Sequence, residues 1–358
     1  MIVETALHQE HLALGATMVD FHGWHLPLHY GSQLEEHKKV RTQAGLFDVS
    51  HMTIVDILGA GGRQFLRTVL THDIDKLPHV GRALYSCMCN RFGGIIDDLI
   101  VYQRSPDNYR LILNAATKQR DLEWLHQNIQ GYAADIQERN DLIMIAVQGP
   151  KAIETTMQVL SASQTDALST IAPFECVEPD HLFIARTGYT GEDGLEIIAS
   201  PADITQIWQA LIAKGVSPCG LAARDTLRIE AGLLLYGQDM DESTTPLESS
   251  LAWTVTWEPN DRDFIGRGTL LSQKQHGLEQ KLVGITLQDK GILRAGQKIM
   301  TDGLGEGIVT SGTFSPTLNQ SIGFARVPLA AKDNVWVEIR DKRCLAQMGK
   351  LRFINKGK

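Results

Sequence analysis

Two adjacent carboxylates, Asp97 and Asp98, sit inside the strongly apolar stretch GGIIDDLIV at 93–101. A carboxylate in an apolar wall is costly unless it is paired or hydrogen-bonded. Strand alternation sends the two side chains to opposite faces, so they cannot share a proton as an acid dyad would. One should meet solvent or a loop, the other an interior or a pocket. Chemistry alone leaves a structural turn-and-cap pair about as good a reading as a functional site. A second such place is FIARTGYTGEDGLEII at 183–198, two strands around a glycine-rich turn. Gly188, Gly191 and Gly194 let the backbone fold tightly and leave Tyr189 and Glu196 as side chains able to reach a ligand. The plainer role for Glu196 is a cross-strand partner for a nearby arginine. In GLAARDTLRIEAGLLLYGQDMDE at 220–242, Arg224 and Arg228 are i, i+4 on one helix face. Such a pair can hold carboxylates through bidentate hydrogen bonds. For Arg228 an internal ion pair with Asp225 or Glu230 is the better expectation.

Other segments carry less. ILGAGGRQF at 57–65 tempts a dinucleotide reading, but the sixth position of the glycine fingerprint is Gln64, so the loop is a turn. Cys87 and Cys89 fall on one face of a strand and read as a buried pair of small side chains. The five cysteines are odd in number and scattered, a reduced, intracellular pattern. His22, His25 and His29 crowd among Trp24, Pro27 and Tyr30 and read as a polar turn packed by aromatics. The histidines form no HExxH or paired-ligand spacing, so no metal is expected.

The elements that must position these residues are mixed. Residues 33–46 are charged and helix-favouring, 53–58 are strand-like and 63–70 helical. IIDDLIVYQ and YRLILNA look like paired strands joined by SPDN. Thr117 can cap a helix carrying Leu122, Leu125 and Ile129. Ile204, Ile207, Trp208, Leu211 and Ile212 define a helix over 202–214, with Gly215 at C′. A further helix spans 221–232. From about 280 onward, short strands with glycine turns read as a small β-barrel or sandwich. The polar stretch 272–281 is the expected boundary. The chain has 358 residues and a net charge of 34 − 42 = −8, which argues against nucleic acid as a partner. No apolar run approaches the ~20 residues of a membrane helix.

Taken together, the segments resemble one family over nearly the whole length. MVDFHGWHLPLHYG at 18–31, GLFDVSHM at 45–52, GGIIDDLIVY at 93–102, IAVQGP at 145–150, TGYTGEDGLE at 187–196, CGLAARDTLRIEAGLLLYGQDMDE at 219–242, DFIGR at 263–267 and VTSGTFSPTL at 309–318 are similar to glycine cleavage system T proteins. The resemblance implies an α+β, three-lobed aminomethyltransferase folate-binding fold. Residues 1–270 would form two intertwined lobes and 280–358 a C-terminal β-barrel domain. It implies transfer of the methylene of an aminomethyl group from lipoylated H protein to tetrahydrofolate, releasing ammonia. Asp97 matches the family's aspartate near the reactive folate nitrogens, and Asp97→Asn should then spare folate binding more than turnover. Glu196 and Tyr189 match pterin-pocket positions and Arg224 a position of the folate site. Tyr85, Met52 and Val101 are softer matches to the cavity lining. The tail LRFINKGK matches poorly, and no residue is carried over from it. A bacterial cytoplasmic location is expected, since no arginine- and serine-rich leader is present.

Two relatives of that fold are alternatives. Folate domains of dimethylglycine or sarcosine dehydrogenases carry a flavin domain for which this chain has no room. Non-catalytic folate-binding proteins of iron–sulfur cluster maintenance have a KGCYxGQE-like segment where this chain reads LLLYGQDMDE, without a cysteine.

Overall fold

The computed structural model describes residues 2–354. Its architecture is α+β, with three open sheets and a closed C-terminal barrel among the described residues. A five-stranded antiparallel sheet runs in the order Ala83–Cys89, Ile95–Ser105, Asn108–Leu113, Thr53–Leu58, Asp135–Glu138. The helices Gly62–Val69 and Lys118–Asn128 cover one face, burying Val55, Leu66, Leu99, Val101 and Leu125. A six-stranded sheet has Gly194–Ala199, Ile143–Gln148 and Gly45–Asp48 at its centre. Helix Pro201–Ala213 lays Ile204, Trp208 and Leu211 on it.

The two sheets meet through a third core. Ile54, Tyr102 and Ile112 from one pack against Phe47, Met144, Phe183 and Ile198 from the other, with Ala223 and Leu227 of helix Leu221–Ala231. Arg110 lies over the Phe183 ring at 5.0 Å in the same seam.

Local chemistry explains most boundaries. Ser200 accepts a hydrogen bond from the Asp203 amide at 3.2 Å and Pro201 opens the helix; Gly215, at φ +85°, takes the left-handed position just past its end. The helix expected over 33–46 stops at Thr42, and Gly45–Asp48 is a strand. Glycine is required there, because a Cβ on Gly45 would lie 2.4 Å from Val40 Cγ2. Thr117 precedes its helix as expected but does not cap it with its side chain; its hydroxyl donates to the Asn114 carbonyl at 3.0 Å. Helix Arg267–His276 occupies half of the polar stretch expected as a boundary, and the first barrel strand starts at Gln280. The six barrel strands, in the order Gln280–Leu287, Gln320–Pro328, Gly305–Ser315, Lys298–Thr301, Asn334–Ile339 and Lys342–Gly349, enclose Ile285, Ile299, Val309, Ala325 and Val337.

Glu230 fastens the barrel to the body. Its buried carboxylate accepts from Arg41 at 2.8 Å, Thr317 at 2.9 Å and Ser315 at 2.5 Å, and lies 3.2 Å from His37 Nε2. Its main-chain carbonyl accepts from Phe353 and Ile354. Burial opposes its ionisation, but His37, Ser315 and Arg41 outweigh that and hold the carboxyl at about 2. Its contribution to stability is therefore complete above the unfolded value near ~4.3 and disappears as pH falls towards 2. Glu230→Gln leaves Arg41 with Glu192 at 2.9 Å as its remaining charge partner but weakens the charged acceptor shared by Arg41, Ser315 and Thr317, and should cost roughly 1–3 kcal/mol in denaturant titrations at pH 7. The gap to the parent protein should narrow below pH 4; a gap constant with pH would contradict the ionic origin.

Candidate active site

The paired carboxylates on strand Ile95–Ser105 do go opposite ways, and they end in different surroundings. Asp97 is fully buried on the helix-covered face. It accepts from the Asn114 amide nitrogen at 3.2 Å and from Asn114 Nδ2 at 2.9 Å, and it faces Asp121 of helix Lys118–Asn128. Asp121 has the Asp97 carboxyl and the Thr117 side chain as its polar neighbours. Two buried carboxyls in this position need a proton between them. Burial first and the Asp121 charge second push Asp97 well above the usual carboxylate range, while burial holds Asp121 at about 6.

Asp98 points the other way and stays partly accessible. Tyr85 donates to it at 2.8 Å, and Asn114 Nδ2 reaches it at 3.1 Å. Register places Tyr85 opposite Ile100 and Cys87 opposite Asp98, so Tyr85 and Asp98 are on the same face of adjacent strands. Burial first, then the neighbouring Asp97, raises its carboxyl to about 7, against the opposing bonds from Tyr85 and Asn114. Trp253, 61% exposed, stacks on the Tyr85 ring at 5.6 Å and forms the outer edge.

From Asp98 the same recess runs past Tyr189, whose hydroxyl donates to the Leu234 carbonyl. Arg224 lies over the Tyr189 ring at 4.3 Å. Its guanidinium makes no hydrogen bond or ion pair among the described residues, although burial depresses its basicity. Glu196, within range of the Arg224 charge, accepts from Thr187 at 2.5 Å, and the Tyr102 hydroxyl completes the line at 2.9 Å from Thr187. The tight turn behind Glu196 demands glycine, since a Cβ on Gly188 would fall 1.9 Å from Gln148 Oε1. His51, buried and held at about 3 by burial and then by Arg224, stays neutral at any working pH. Tyr85, Asp98, Tyr189, Glu196 and Arg224 each keep some surface open to water, while desolvation is the largest influence on every one of them.

The structure therefore brings Tyr85, Tyr189, Glu196 and Arg224 together and leaves three expected residues, Asp97, Val101 and Met52, outside. Asp97 is closed off behind the sheet, and Val101 is buried in the core beside Leu99 and Leu111. Both lie on the strand face opposite Asp98, as a two-residue period dictates. Met52 is half-buried and borders a separate depression of about 170 Å³ with Trp24, Ser50 and Lys118. A roomier depression, about 520 Å³, is lined by Arg104, Asn108 and Glu178 and includes none of the recess residues. The Asp98–Arg224 cluster is singled out by its donors, acceptors and rings, which are half-buried and close to one another. Arg228 is internal, as expected: it pairs with Asp225 at 2.9 Å and with Asp239 at 2.8 Å, while Glu230 goes to Arg41. Asn114, Thr187 and Trp253 had no distinguishing sequence signal. Asp98 had one, the alternation itself, which named two faces without saying which was open.

A carboxylate at one end, an arginine with spare donors at the other and aromatic rings between fit a long, flat, partly anionic ligand. The GCVT N-terminal domain matches residues 7–259, and the glycine cleavage T-protein C-terminal barrel domain matches 280–355. The chain belongs to the glycine cleavage T-protein family. It is 64% identical to an aminomethyltransferase of Legionella pneumophila (strain Corby) over 358 residues, covering all of this chain and 99% of that one. It is 53% identical to an aminomethyltransferase of Alcanivorax borkumensis, covering 100% and 98%. The solved glycine cleavage system aminomethyltransferase T from Bartonella henselae superposes with a TM-score of 0.93 at 32% identity, covering 99% of this chain and 98% of that one. The protein is an aminomethyltransferase of that fold. No helix among the described residues is long and apolar enough to cross a membrane.

Proposed function

We propose that the protein moves the methylene of an aminomethyl group, carried on the lipoyl arm of an H protein, to tetrahydrofolate, giving 5,10-methylenetetrahydrofolate, ammonia and dihydrolipoyl H protein. In this reading Asp98, not Asp97, is the carboxylate at the reacting atoms. The observation that carries it is Asp98, half-buried beside Tyr85 on the side where Arg224 lies over the Tyr189 ring, with Asp97 shut behind the sheet. The residues fit the folate. Glu196 has acceptor capacity beyond its single bond from Thr187, enough for the guanidine-like edge of a pterin. Arg224 has donors to spare for a carboxylate of the folate tail. Bound tetrahydrofolate supplies the nucleophilic nitrogens that capture the one-carbon unit.

The chain's own part is positional and electrostatic. Tyr85 and Asn114 lock the Asp98 oxygens. The desolvated carboxylate then stabilises positive charge developing on the aminomethyl carbon as ammonia leaves, with no reorganisation at that moment. Held at about 7, it can also take up a proton as the ring closes.

The non-catalytic alternative predicts folate binding without turnover, and relatives named aminomethyltransferase along the full length favour the enzyme. Ammonia release from aminomethylated H protein, with and without tetrahydrofolate, separates the two. The apparent kcat/KM should rise with pH through about 7 as Asp98 ionises. A flat profile from pH 6 to 8 would remove Asp98 from the chemistry. Because the folded carboxyl keeps its proton to higher pH than the unfolded one, Asp98 lowers stability increasingly from about pH 4 to 7 and by the full amount above that. The bacterial relatives and five free, buried cysteines support a cytoplasmic location.

A further inference from the structure

We infer that Glu4, His8 and His25 form a binding site for a divalent metal ion of the zinc class. One donor atom from each lies within 4.8 Å of the others. Two kinds of local geometry bring them together. Glu4 and His8 are four residues apart across the entry to helix His8–Ala13, with Glu4 Oε1 3.4 Å from His8 Nε2. His25 arrives by sheet pairing: strand Val3–Glu4 runs parallel to Trp24–His29, and the register sets Glu4 opposite His25. The His8 and His25 rings then lie 5.0 Å apart, tilted by 32°.

The ordinary roles of these histidines are not filled. His8 is 6% exposed, and its buried Nδ1 meets no hydrogen-bond partner. No hydrogen bond of His25 is found among the described residues either, and its ring is half-buried. With His8 Nε2 facing Glu4, its orphaned Nδ1 is a buried polar atom without a partner, an exception that needs a cause. Two imidazoles and a carboxylate are a common catalytic-type zinc donor set, and water can complete the tetrahedron. Bonds of ~2.0–2.2 Å set the donors of a tetrahedral ion roughly 3.4 Å apart, so small side-chain rotations close the cluster. The N,N,O set favours zinc, copper or nickel over magnesium and calcium, which prefer all-oxygen sites. The spacing search of the sequence missed it because His25 enters through pairing, seventeen positions beyond His8 in the chain. The site shares no residue with the Asp98–Arg224 recess. By joining the first strand, the first helix and the third strand, a bound ion would tie down the N-terminal segment.

The test is isothermal titration of the full chain, without a polyhistidine tag and stripped by chelator, with zinc chloride. One zinc per chain should bind, and the thermal midpoint should rise with zinc concentration. Glu4→Gln and His25→Ala change accessible side chains and should leave the metal-free melting temperature near that of the parent. Each should weaken zinc binding by at least the roughly 10–100-fold that loss of even a ligand's outer partner causes. Exposed His126→Ala should bind zinc like the parent. Absence of zinc-dependent heat overturns the inference, and so does binding that survives both Glu4→Gln and His25→Ala, which would place the ion elsewhere, such as on a cysteine thiol.

Discussion

Asp98→Asn should lower the rate of tetrahydrofolate-dependent ammonia release by roughly 10²–10³-fold, the usual loss when one preorganised electrostatic group is removed. Affinity for tetrahydrofolate should stay close to that of the parent. The amide oxygen can still accept from Tyr85, while the NH2 faces the Asn114 donor that the second carboxylate oxygen accepted, and the side chain carries no charge to set against the cation formed as ammonia leaves. Asp97→Asn is the matched control. At neutral pH the Asp97–Asp121 pair already holds a proton, and an amide at 97 can donate to Asp121 as the protonated carboxyl does. Turnover should therefore fall far less than in Asp98→Asn. Single-turnover kinetics beside equilibrium folate titration read both effects. If Asp97→Asn is the more damaging of the two, the assignment reverses, and the buried pair takes a direct part that its position does not suggest.

Arg224→Gln should separate stability from function. The guanidinium is buried against the Tyr189 ring with no carboxylate bonded to it, and burial lowers its basicity. A base whose charged form is disfavoured in the folded state costs stability at every pH where the unfolded side chain is protonated, which is the whole accessible range. Its removal should therefore leave the melting temperature unchanged or raise it, as expected where a site is kept strained for its ligand. Folate affinity should fall, because a buried charge–carboxylate contact is worth about 2–5 kcal/mol, or at least roughly 30-fold. The comparison ligand is a reduced pteroate lacking the glutamate. If Arg224 meets the tail carboxylate, the variant and parent should bind that analogue alike. An equal loss for both ligands would move Arg224 to the pterin end.

Much of this protein could be read from its residues in order. Branched residues in IIDDLIVYQ and YRLILNA, with the turn SPDN between them, reveal the central hairpin, because such residues favour extended, packed strands. The i, i+3, i+4 repeat from Ile204 to Ile212 reveals its helix for the corresponding reason, and Gly215 marks its end. Long ordered motifs carry the family. Ends of elements were less legible: the helix beginning at Gln33 stops at Thr42, four residues short of the expected end, because Gly45–Asp48 pairs with Ile143–Gln148 in the sheet.

The site divides in the same way. Local periodicity states that Asp97 and Asp98 face apart, and no more, because both positions have equal claim within one strand. Which side becomes the recess depends on what covers the sheet. Helix Lys118–Asn128 closes the Asp97 face with Asp121, while the opposite lobe brings Tyr189, Glu196 and Arg224 to the Asp98 face from residues about 90–130 positions away in the chain. Val101 was lost to the core by the same parity. The sequence by itself determined the family, the helices and strands, and the set of residue types available for chemistry, since these follow from local pattern. Tertiary structure alone decided which carboxylate is presented, because burial and charge at a site are properties of neighbours that the chain brings in from a distance.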